Sequence, residues 1–402
     1  HKAKKHGFVC LLHEKPFAGI NGSGKHVNWS VSNSTQGNLL DPGDSPHENA
    51  QFLVFCGAVI RSVHKYGPLM RAAIATASND HRLGANEAPP AIMSVYLGTQ
   101  LEDVFDQIKQ GSITDSKHKG VLDLGIAVLP PLNKDPGDRN RTSPFAFTGN
   151  RFEFRAVGSS QSVAGPLIVL NTMLADSLEW IGNRLESELG NGVELNAAVL
   201  TVLKEVMEEH GSVVFGGDGY SEEWHKMAVE ERGLANLPTT ADALPYLQAE
   251  FVEDLFKKTG VLTPVELESR YEVYAEQYIL SIEVESKLVV DMVKTSIYPI
   301  AVNYLATLSS IITSLAGMGV TLGKESAETV AGLTGSMMAS VKKLSDAMAM
   351  HDFADTAAHM KYCAETIRPL MDEVREYVDA LEGEIPDADW PLPTYQEMLF
   401  IK

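Results

Sequence analysis

The chain has 402 residues, 44% of them hydrophobic, which is enough apolar material for one large core or two and favours two domains. Its formal net charge is -20, from 53 acidic and 33 basic residues, and this argues against a nucleic acid or an anionic membrane as partner, because both attract clusters of lysine and arginine. Its cysteines, Cys10, Cys56 and Cys363, have neither disulfide-like nor metal-like spacing, so we expect a cytoplasmic protein with small-molecule ligands.

A glycine-rich segment near the start, residues 19–26, approaches the phosphate-binding pattern G-x-x-x-x-G-K-[ST]. His26 stands where that loop needs a hydroxyl for magnesium, and residues 27–31 alternate like a strand instead of opening a helix. We therefore predict that the segment is not a P-loop. Its backbone amides can still approach a small anion, and His26 can either ligate a metal or serve as an ordinary structural residue.

Two further polar segments are weak signals by themselves. Residues 81–90 form a loop that contains Arg82 and Glu87 and ends in a pair of prolines. Residues 135–138 form a turn that leads to Arg141. By spacing alone, exposed surface turns explain both segments.

Residues 149–155 carry the strongest chemical signal. Strand alternation places Arg151, Glu153 and Arg155 on one face and two phenylalanines on the other. A carboxylate flanked by guanidinium groups can hold a metal and clamp an anionic substrate beside it, an arrangement suited to phosphoryl transfer. A solvent-facing strand with cross-strand ion pairs is the alternative.

Beyond residue 162 the pattern predicts mostly helix, with leucine, alanine and glutamate at helical spacing. The capping box at residues 263–266 predicts a helix start, and this helix should run for about thirty residues until Pro299 interrupts it.

The uncharged residues 295–323 include many polar side chains, which favour a helix buried in a bundle or a subunit interface over a membrane span. His359 and Cys363 have no third ligand nearby in the sequence and are predicted to be packing residues.

The chain resembles the glutamine synthetase family in four motifs, which keep the family's order and spacing: K-P-F-A-G-I-N-G-S-G-K-H at residues 15–26, N-E-A-P at residues 86–89, N-R at residues 140–141 and N-R-F-E-F-R at residues 150–155. The long helical extension, the loop at residues 219–224 and the chain end around residues 390–400 are similar to the type III form of the family. The resemblance implies ATP-dependent synthesis of glutamine from glutamate and ammonia through γ-glutamyl phosphate. It also implies Mg²⁺ or Mn²⁺ as cofactor and a homo-oligomer, a dodecamer.

The same resemblance implies roles for the motif residues. His26 and Glu153 would hold the metal that bridges the ATP phosphates. Glutamate would be bound by four residues, Asn21, Gly22, Arg82 and Arg155.

For the phosphoryl-transfer step, Arg141 and Arg151 would neutralise the charge that develops on the phosphate. Glu87 would lie on a flap that excludes water from the intermediate and accepts a proton from ammonium. The implied catalytic residues are thus Glu87, Arg141 and Arg155, and the implied ATP-binding residues are Asn28, Ser30, Arg141 and Arg151.

The sequence also departs from the family pattern. Asn28 stands where many members carry a nucleotide-contacting histidine. The family's other metal-binding glutamates and its ammonium-site aspartate lie upstream of His1, and a neighbouring subunit's N-terminal domain completes the family's site. We therefore expect that these 402 residues are a fragment of an active synthetase and are inactive alone.

Together these observations predict an α+β fold. Residues 1–185 are expected to form a partial glutamine-synthetase-type catalytic domain, an antiparallel sheet with helices outside it, and residues 186–402 the helical C-terminal extension. Two alternatives remain open: a γ-glutamyl ligase that uses another amine, and a non-catalytic oligomerisation module.

Overall fold

The structure of the chain is a computed structural model that describes residues 2–8, 14–15, 19–111, 121–122, 132–133 and 142–393. Four predicted features fall at least partly outside these ranges: the first motif, at residues 16–18, the turn at residues 135–138, the N-R motif at residues 140–141 and the end of the chain beyond residue 393.

Helices make up most of the described chain. They are α1 (Lys2–Lys5), α2 (Ala50–Ala72), α3 (Ala77–Arg82), α4 (Thr99–Lys109), α5 (Ala164–Gly190), α6 (Leu195–His210), α7 (Glu222–Glu230), α8 (Thr240–Ala243), α9 (Glu250–Thr259), α10 (Pro264–Met292), α11 (Tyr298–Ala316), α12 (Lys324–Met348), α13 (Thr356–Tyr362) and α14 (Arg368–Glu382). The strands are β1 (Gly24–Trp29), β2 (Ser32–Asn33), β3 (Gly37–Asn38), β4 (Val95–Tyr96), β5 (Val121–Leu122), β6 (Leu132–Asn133), β7 (Phe145–Phe147) and β8 (Phe152–Gly158).

The main sheet has four strands in the order β1-β8-β7-β4. The β1–β8 and β7–β8 pairs are antiparallel, as predicted, whereas β4 pairs with β7 in parallel. The sheet is therefore mixed, not purely antiparallel. The α+β class predicted from the sequence is confirmed.

The chain divides into two compact units, residues 12–271 and residues 272–402 together with residues 1–11. The boundary predicted between residues 185 and 186 falls inside α5, which continues to Gly190. The division into a catalytic part and an extension stays a prediction.

In the unit of residues 12–271, aromatic rings fill one face of the sheet. Phe145 stacks on Phe152 with 5.0 Å between ring centroids and meets Phe154 edge-on at 5.9 Å. Phe147 contacts Phe52 of α2 with 5.8 Å between ring centroids, which joins the sheet to a largely buried helix of this unit. Strand alternation thus buries the phenylalanines of β8, and its polar residues are left for the opposite face.

A buried carboxylate, Asp176 of α5, ties three helices together. Its side chain is 6% exposed, and its oxygens accept hydrogen bonds from Arg61 Nη1 at 2.9 Å and Lys258 Nζ at 2.8 Å. The Tyr66 hydroxyl donates at 2.9 Å and Lys65 Nζ at 3.2 Å. Because the donors belong to α2 and α9, this cluster fixes both helices against α5.

The capping box predicted at residues 263–266 is confirmed. The Thr263 amide donates to Glu266 Oε2 at 2.7 Å, and the Glu266 amide donates to Thr263 Oγ1 at 3.3 Å. Helix α10 begins at Pro264, a position where the missing amide proton costs nothing.

The prediction that Pro299 interrupts this helix is wrong. A π-helical turn at Val293–Ile297 follows α10, and α11 continues from Tyr298. Pro299 is the second residue of α11, after a turn with one extra residue, where the lack of an amide proton is tolerated. The turn at Cys363–Ile367 precedes Pro369 in the same way.

The uncharged residues 295–323 are mostly exposed within this chain. Ala301 and Leu308 are the buried residues of α11, so this chain by itself does not bury the helix in a bundle. The alternative prediction, burial in a subunit interface, stays a prediction. The helical stretch Pro264–Ala316 is long and apolar enough to cross a bilayer by length and composition, with 11% of its most apolar window buried.

His359 and Cys363 are packing residues, as predicted. Cys363 is buried, and the His359 ring stacks on Phe353 with 4.1 Å between centroids and 10° between planes.

We expect that Asp176→Asn lowers the free energy of unfolding of the 12–271 unit by about 3–5 kcal/mol, because it leaves the buried Arg61 guanidinium without its charged partner. Glu230→Gln is the matched control: its pair with Lys226 is exposed and 3.9 Å long, and its loss should cost less than about 0.5 kcal/mol. Urea unfolding followed by circular dichroism measures both changes. Equal effects of the two variants would contradict the role of Asp176.

The contribution of Asp176 should also depend on pH. Burial alone would raise the pKa of Asp176, but Lys258, Arg61 and Tyr66 outweigh burial and hold it below its usual value. A lowered folded-state pKa means that the stabilisation is complete above the unfolded pKa of about 3.9 and is lost as the pH falls through the folded value. The difference in free energy of unfolding between wild type and Asp176→Asn should therefore be constant from pH 7 to 5 and decrease below about pH 4. A difference that already decreases between pH 7 and 5 would contradict a lowered pKa of Asp176.

Candidate active site

The candidate site forms on the polar face of the β1–β8 pair, at a β-bulge. Lys25 pairs with Val157 and Val27 with Phe154, so that His26 alone faces two residues, Arg155 and Ala156. A bulge of this kind bends the strand, re-aims a side chain and leaves backbone groups without ladder partners.

Side chains from α3 satisfy the backbone carbonyls of the bulge. Asn79, fully buried, donates from Nδ2 to the carbonyl oxygen of Ala156 at 2.9 Å. Arg82 donates from Nη2 to the carbonyl oxygen of Arg155 at 2.8 Å and from Nη1 to that of Val157 at 3.4 Å. These contacts explain why α3 carries a buried amide and a buried guanidinium: buried carbonyls need hydrogen-bond partners.

Glu153 is the centre of the site. Its Oε1 lies 2.9 Å from His26 Nδ1, and its Oε2 accepts a hydrogen bond from Arg155 Nε at 2.9 Å. The Glu153 side chain is 14% exposed and that of His26 is 46% exposed. The same-face placement of Glu153 and Arg155 predicted from alternation is therefore confirmed, although a bulge lies beside them.

Electrostatics keep Glu153 ionised. Burial alone would raise the pKa of Glu153, but the Arg155 guanidinium and the His26 ring outweigh burial and hold this pKa below its usual value. The site thus presents a carboxylate at neutral pH, which is the form that binds a divalent cation.

These groups open into a cavity of about 580 Å³. It is lined by Gly22, Ser23, Gly24, His26, Arg82, Asn86, Glu87, Glu153 and Arg155. Six residues predicted from the sequence therefore share one cavity: Gly22, His26, Arg82, Glu87, Glu153 and Arg155.

Four other predicted residues do not line this cavity. Asn28 pairs directly with Glu153 across the strands and lies exposed on the same face. Asn21, Ser30 and Arg151 are exposed, Asn21 before β1, Ser30 just after it and Arg151 just before β8. Arg141 lies outside the described residues, so its role stays a prediction.

Two glycines of the first motif allow the backbone to approach its neighbours closely. A Cβ at Gly24 would overlap the guanidinium of Arg82, and a Cβ at Gly22 would lie 2.5 Å from the carbonyl oxygen of Glu14. The glycine-rich segment is thus required for packing against Arg82 and Glu14. Its continuation into β1, with no helix, confirms that it is not a P-loop.

Sequence reasoning missed two features of the site. Asn86 and Glu87 have left-handed backbone conformations, with φ of 54° and 66°. Asparagine commonly adopts this conformation, whereas glutamate rarely does. No glycine stands at residues 86–87 to indicate a left-handed backbone in the sequence. Glu14 is buried and accepts hydrogen bonds from the amide and hydroxyl of Ser160 at 2.9 and 2.7 Å. No pattern of spacing indicated that contact.

The described residues contain no group of three or more histidine, cysteine, aspartate or glutamate side chains that could hold a metal ion. His26 and Glu153 supply two donors of the types that bind magnesium or manganese. Magnesium keeps several waters and is often held by one or two carboxylates together with substrate phosphates, so this pair fits such an ion when a phosphate-bearing substrate is bound.

Comparison with known proteins identifies the family. Residues 198–316 match the family model for the glutamine synthetase C-terminal domain. The chain is 43% identical over 409 residues to a type-3 glutamine synthetase of Dictyostelium discoideum, and the alignment covers 99% of this chain. This chain belongs to the glutamine synthetase family.

Two bacterial glutamine synthetases are similar over the same extent. That of Bacteroides fragilis is 38% identical over 100% of this chain, and that of Butyrivibrio fibrisolvens is 40% identical over 99%. The alignments cover 55%, 56% and 57% of the three relatives, so the chain spans about half the length of the curated relatives it matches. The resemblance stated from the motifs is confirmed, whereas the role of each site residue stays a prediction.

We expect that Gly24→Ala destabilises the chain, because the added methyl group displaces the Arg82 guanidinium and disrupts its hydrogen bonds to the bulge. A loss of about 1–3 kcal/mol in the free energy of unfolding is predicted. Gly182→Ala is the matched control, since nothing lies within 4 Å of the new methyl group inside α5, and it should stabilise by about 0.5–1 kcal/mol. Denaturant unfolding of both variants measures the difference; a neutral Gly24→Ala would contradict the packing against Arg82.

Proposed function

We propose that the chain provides catalytic residues of an ATP-dependent glutamate–ammonia ligase. The observation that carries this proposal is the ionised Glu153 between His26 and Arg155, in one cavity with Arg82 and Glu87. The names of the relatives, glutamine synthetases of three organisms, support it independently of this geometry.

Glu153 and His26 are proposed to hold Mg²⁺ or Mn²⁺ together with the phosphates of ATP. When bound, the ion would polarise the transferred phosphoryl group and offset its negative charge. Arg155 prepares this site in advance: its hydrogen bond orients the Glu153 carboxylate and keeps it ionised. The energetic cost of arranging the ligand is then met during folding, before substrate arrives.

The reaction is proposed to proceed in two steps. The side-chain carboxylate of glutamate attacks the γ-phosphorus of ATP, and ADP leaves. Ammonia then attacks the carbonyl carbon of the γ-glutamyl phosphate, and inorganic phosphate leaves with the electron pair of the broken carbon–oxygen bond.

Both steps involve anions, and the cavity supplies cations to bind them. Arg155 lines the cavity, and Arg82 borders it with its guanidinium largely committed to backbone carbonyls. We therefore propose that Arg155 contacts a glutamate carboxylate directly, whereas Arg82 acts chiefly by fixing the bulge and adding positive charge. Arg151, exposed beside β8, is proposed to approach the phosphate from the open side, and Arg141 is proposed to neutralise charge on the same phosphate.

The glycine-rich segment and the open face of β1 are proposed to bind the two large substrates. Asn21 and Gly22 would contact glutamate, since Gly22 lines the cavity and Asn21 precedes it. Asn28 and Ser30 would contact ATP, since Asn28 pairs with Glu153 on the strand that carries His26, and Ser30 is exposed just after that strand.

Glu87 is proposed to act in the second step. Its carboxylate borders the cavity, where it can accept a proton from ammonium and release ammonia as the nucleophile. Its loop would also exclude water, which otherwise hydrolyses the acyl phosphate. The homo-oligomer implied by the resemblance remains part of this proposal.

We predict that Glu153→Gln in the full-length protein reduces glutamine formation at least about 100-fold at saturating Mg²⁺ or Mn²⁺, because the amide has the same shape but no charge for the cation. The variant should also weaken Mn²⁺ binding measured by titration calorimetry with a non-hydrolysable ATP analogue. Glu328→Gln, at an exposed ion pair on α12, is the control and should leave both quantities unchanged.

Unchanged activity of Glu153→Gln would contradict the metal role. A wild-type protein that hydrolyses ATP with glutamate and another amine, but not with ammonia, would instead favour the alternative γ-glutamyl ligase. No ligase activity with any amine would favour the non-catalytic module.

A further inference from the structure

Glu14, which precedes the glycine-rich segment, is a buried carboxylate that does not line the cavity. Its Oε1 accepts two hydrogen bonds from Ser160, one from the amide at 2.9 Å and one from the hydroxyl at 2.7 Å. Its Oε2 is buried and accepts no hydrogen bond from the part of the chain that the structure describes. Because burying a carboxylate is costly unless it is paired, we expect its surroundings to compensate for the burial.

A pair of glycines makes room for Glu14 and for Arg82. Gly24 of β1 pairs directly with Gly158 of β8, and residues directly opposite each other on antiparallel strands share a face. A Cβ at Gly158 would lie 2.5 Å from Glu14 Oε1, and a Cβ at Gly24 would overlap the Arg82 guanidinium. Glu14 and Arg82 therefore occupy one face of the ladder, in the space that the two glycines leave.

The charge of Arg82 compensates for the burial of Glu14. Arg82 is also buried, and burial lowers its pKa, whereas the negative charge of Glu14 opposes that change. Since arginine stays protonated in proteins, Glu14 lies near a permanent positive charge. The carboxylate is thus held by hydrogen bonds from Ser160 together with the charge of Arg82.

Glu14 also closes the glycine-rich segment into a loop. Its carbonyl oxygen accepts the Ser23 amide at 2.7 Å, and a Cβ at Gly22 would lie 2.5 Å from the same oxygen. At the other end of the segment, Lys25 donates from Nζ to the Gln161 carbonyl oxygen at 2.5 Å. Both ends of the segment are therefore bound to the turn that joins β8 to α5.

We propose that Glu14 is a positioning residue for the glycine-rich segment: through its contacts with Ser160 and Ser23, it holds residues 21–24 at the wall of the cavity. Its role in glutamate binding rests on the proposed ligase function, in which residues 21 and 22 contact glutamate. The restraint of the segment does not depend on that reaction.

Hydrogen–deuterium exchange of the full-length protein tests the restraint. Ser160→Ala removes one of the two hydrogen bonds to Glu14 at an exposed residue, so peptides that span residues 19–25 should exchange about three- to tenfold faster. Ser162→Ala is the matched control, because this hydroxyl, exposed in the same turn, accepts the Ala164 amide at the start of α5. The control should leave these peptides unchanged. Unchanged exchange in Ser160→Ala would overturn the proposal.

A double-mutant cycle tests whether Glu14 acts through Ser160. Glu14→Gln keeps the shape of the side chain and removes its charge, which weakens the same hydrogen bonds. The increase in exchange of the double variant should be clearly smaller than the product of the two single increases, because both substitutions act on one contact. An increase equal to that product would overturn the role of this contact. If Glu14→Gln does not fold, Ser160→Ala alone still decides the restraint.

Kinetics of the full-length protein test the link to substrate binding. Ser160→Ala should raise KM for glutamate about three- to fivefold, with kcat and KM for ATP within about twofold of wild type. A smaller fraction of folded protein would instead lower kcat and leave KM for glutamate unchanged. Faster exchange with an unchanged KM for glutamate would overturn the link. A wild-type protein without ligase activity would count against the proposed function, while the exchange result still decides the role of Glu14.

Discussion

The site depends on one irregularity, the bulge where His26 of β1 faces both Arg155 and Ala156 of β8. A regular ladder would pair each residue once and leave no backbone groups unsatisfied. The bulge leaves carbonyls that need donors, and α3 provides them from Asn79 and Arg82. Burying a guanidinium for this purpose is costly, and the cost is offset because its donors are used.

In this arrangement the two arginines next to the bulge have different roles. Arg82 serves mainly the backbone, whereas Arg155 reaches the Glu153 carboxylate and the cavity. At Asp176 charge has a structural role, because the buried Arg61 and the more exposed Lys258 both bind one carboxylate and hold helices together. Both clusters depress the pKa of a carboxyl group, and Glu153 lines the cavity described above, whereas Asp176 does not line that cavity. A perturbed pKa alone therefore does not identify the functional site, and the cavity decides between the two.

Sequence reasoning predicted the parts of the site that depend on local periodicity. Alternation placed Glu153 and Arg155 on one face, and the alternation of residues 27–31 indicated a strand where a P-loop would open a helix. The burial of Arg82 could not be predicted in this way, because it depends on carbonyls that a bulge exposes in another segment.

In the helical part of the chain, local sequence rules gave wrong predictions. Proline normally ends a helix, but a π turn before Pro299 adds a residue and lets the helix continue. The exposure of α11 could not be predicted from composition either. An apolar composition indicates that a surface will be covered, but it does not indicate whether the same chain or another molecule covers it.

The most direct test of the central claim is to locate the cation. A crystal structure of the full-length protein, grown with Mn²⁺ and a non-hydrolysable ATP analogue, would show manganese by its anomalous scattering. We expect a manganese ion within coordination distance of a Glu153 carboxylate oxygen and a His26 ring nitrogen, with the Arg155 guanidinium still bound to Glu153. Manganese bound elsewhere, with the Glu153–His26 pair intact and no ion beside it, would contradict the assignment of this cavity as the catalytic site.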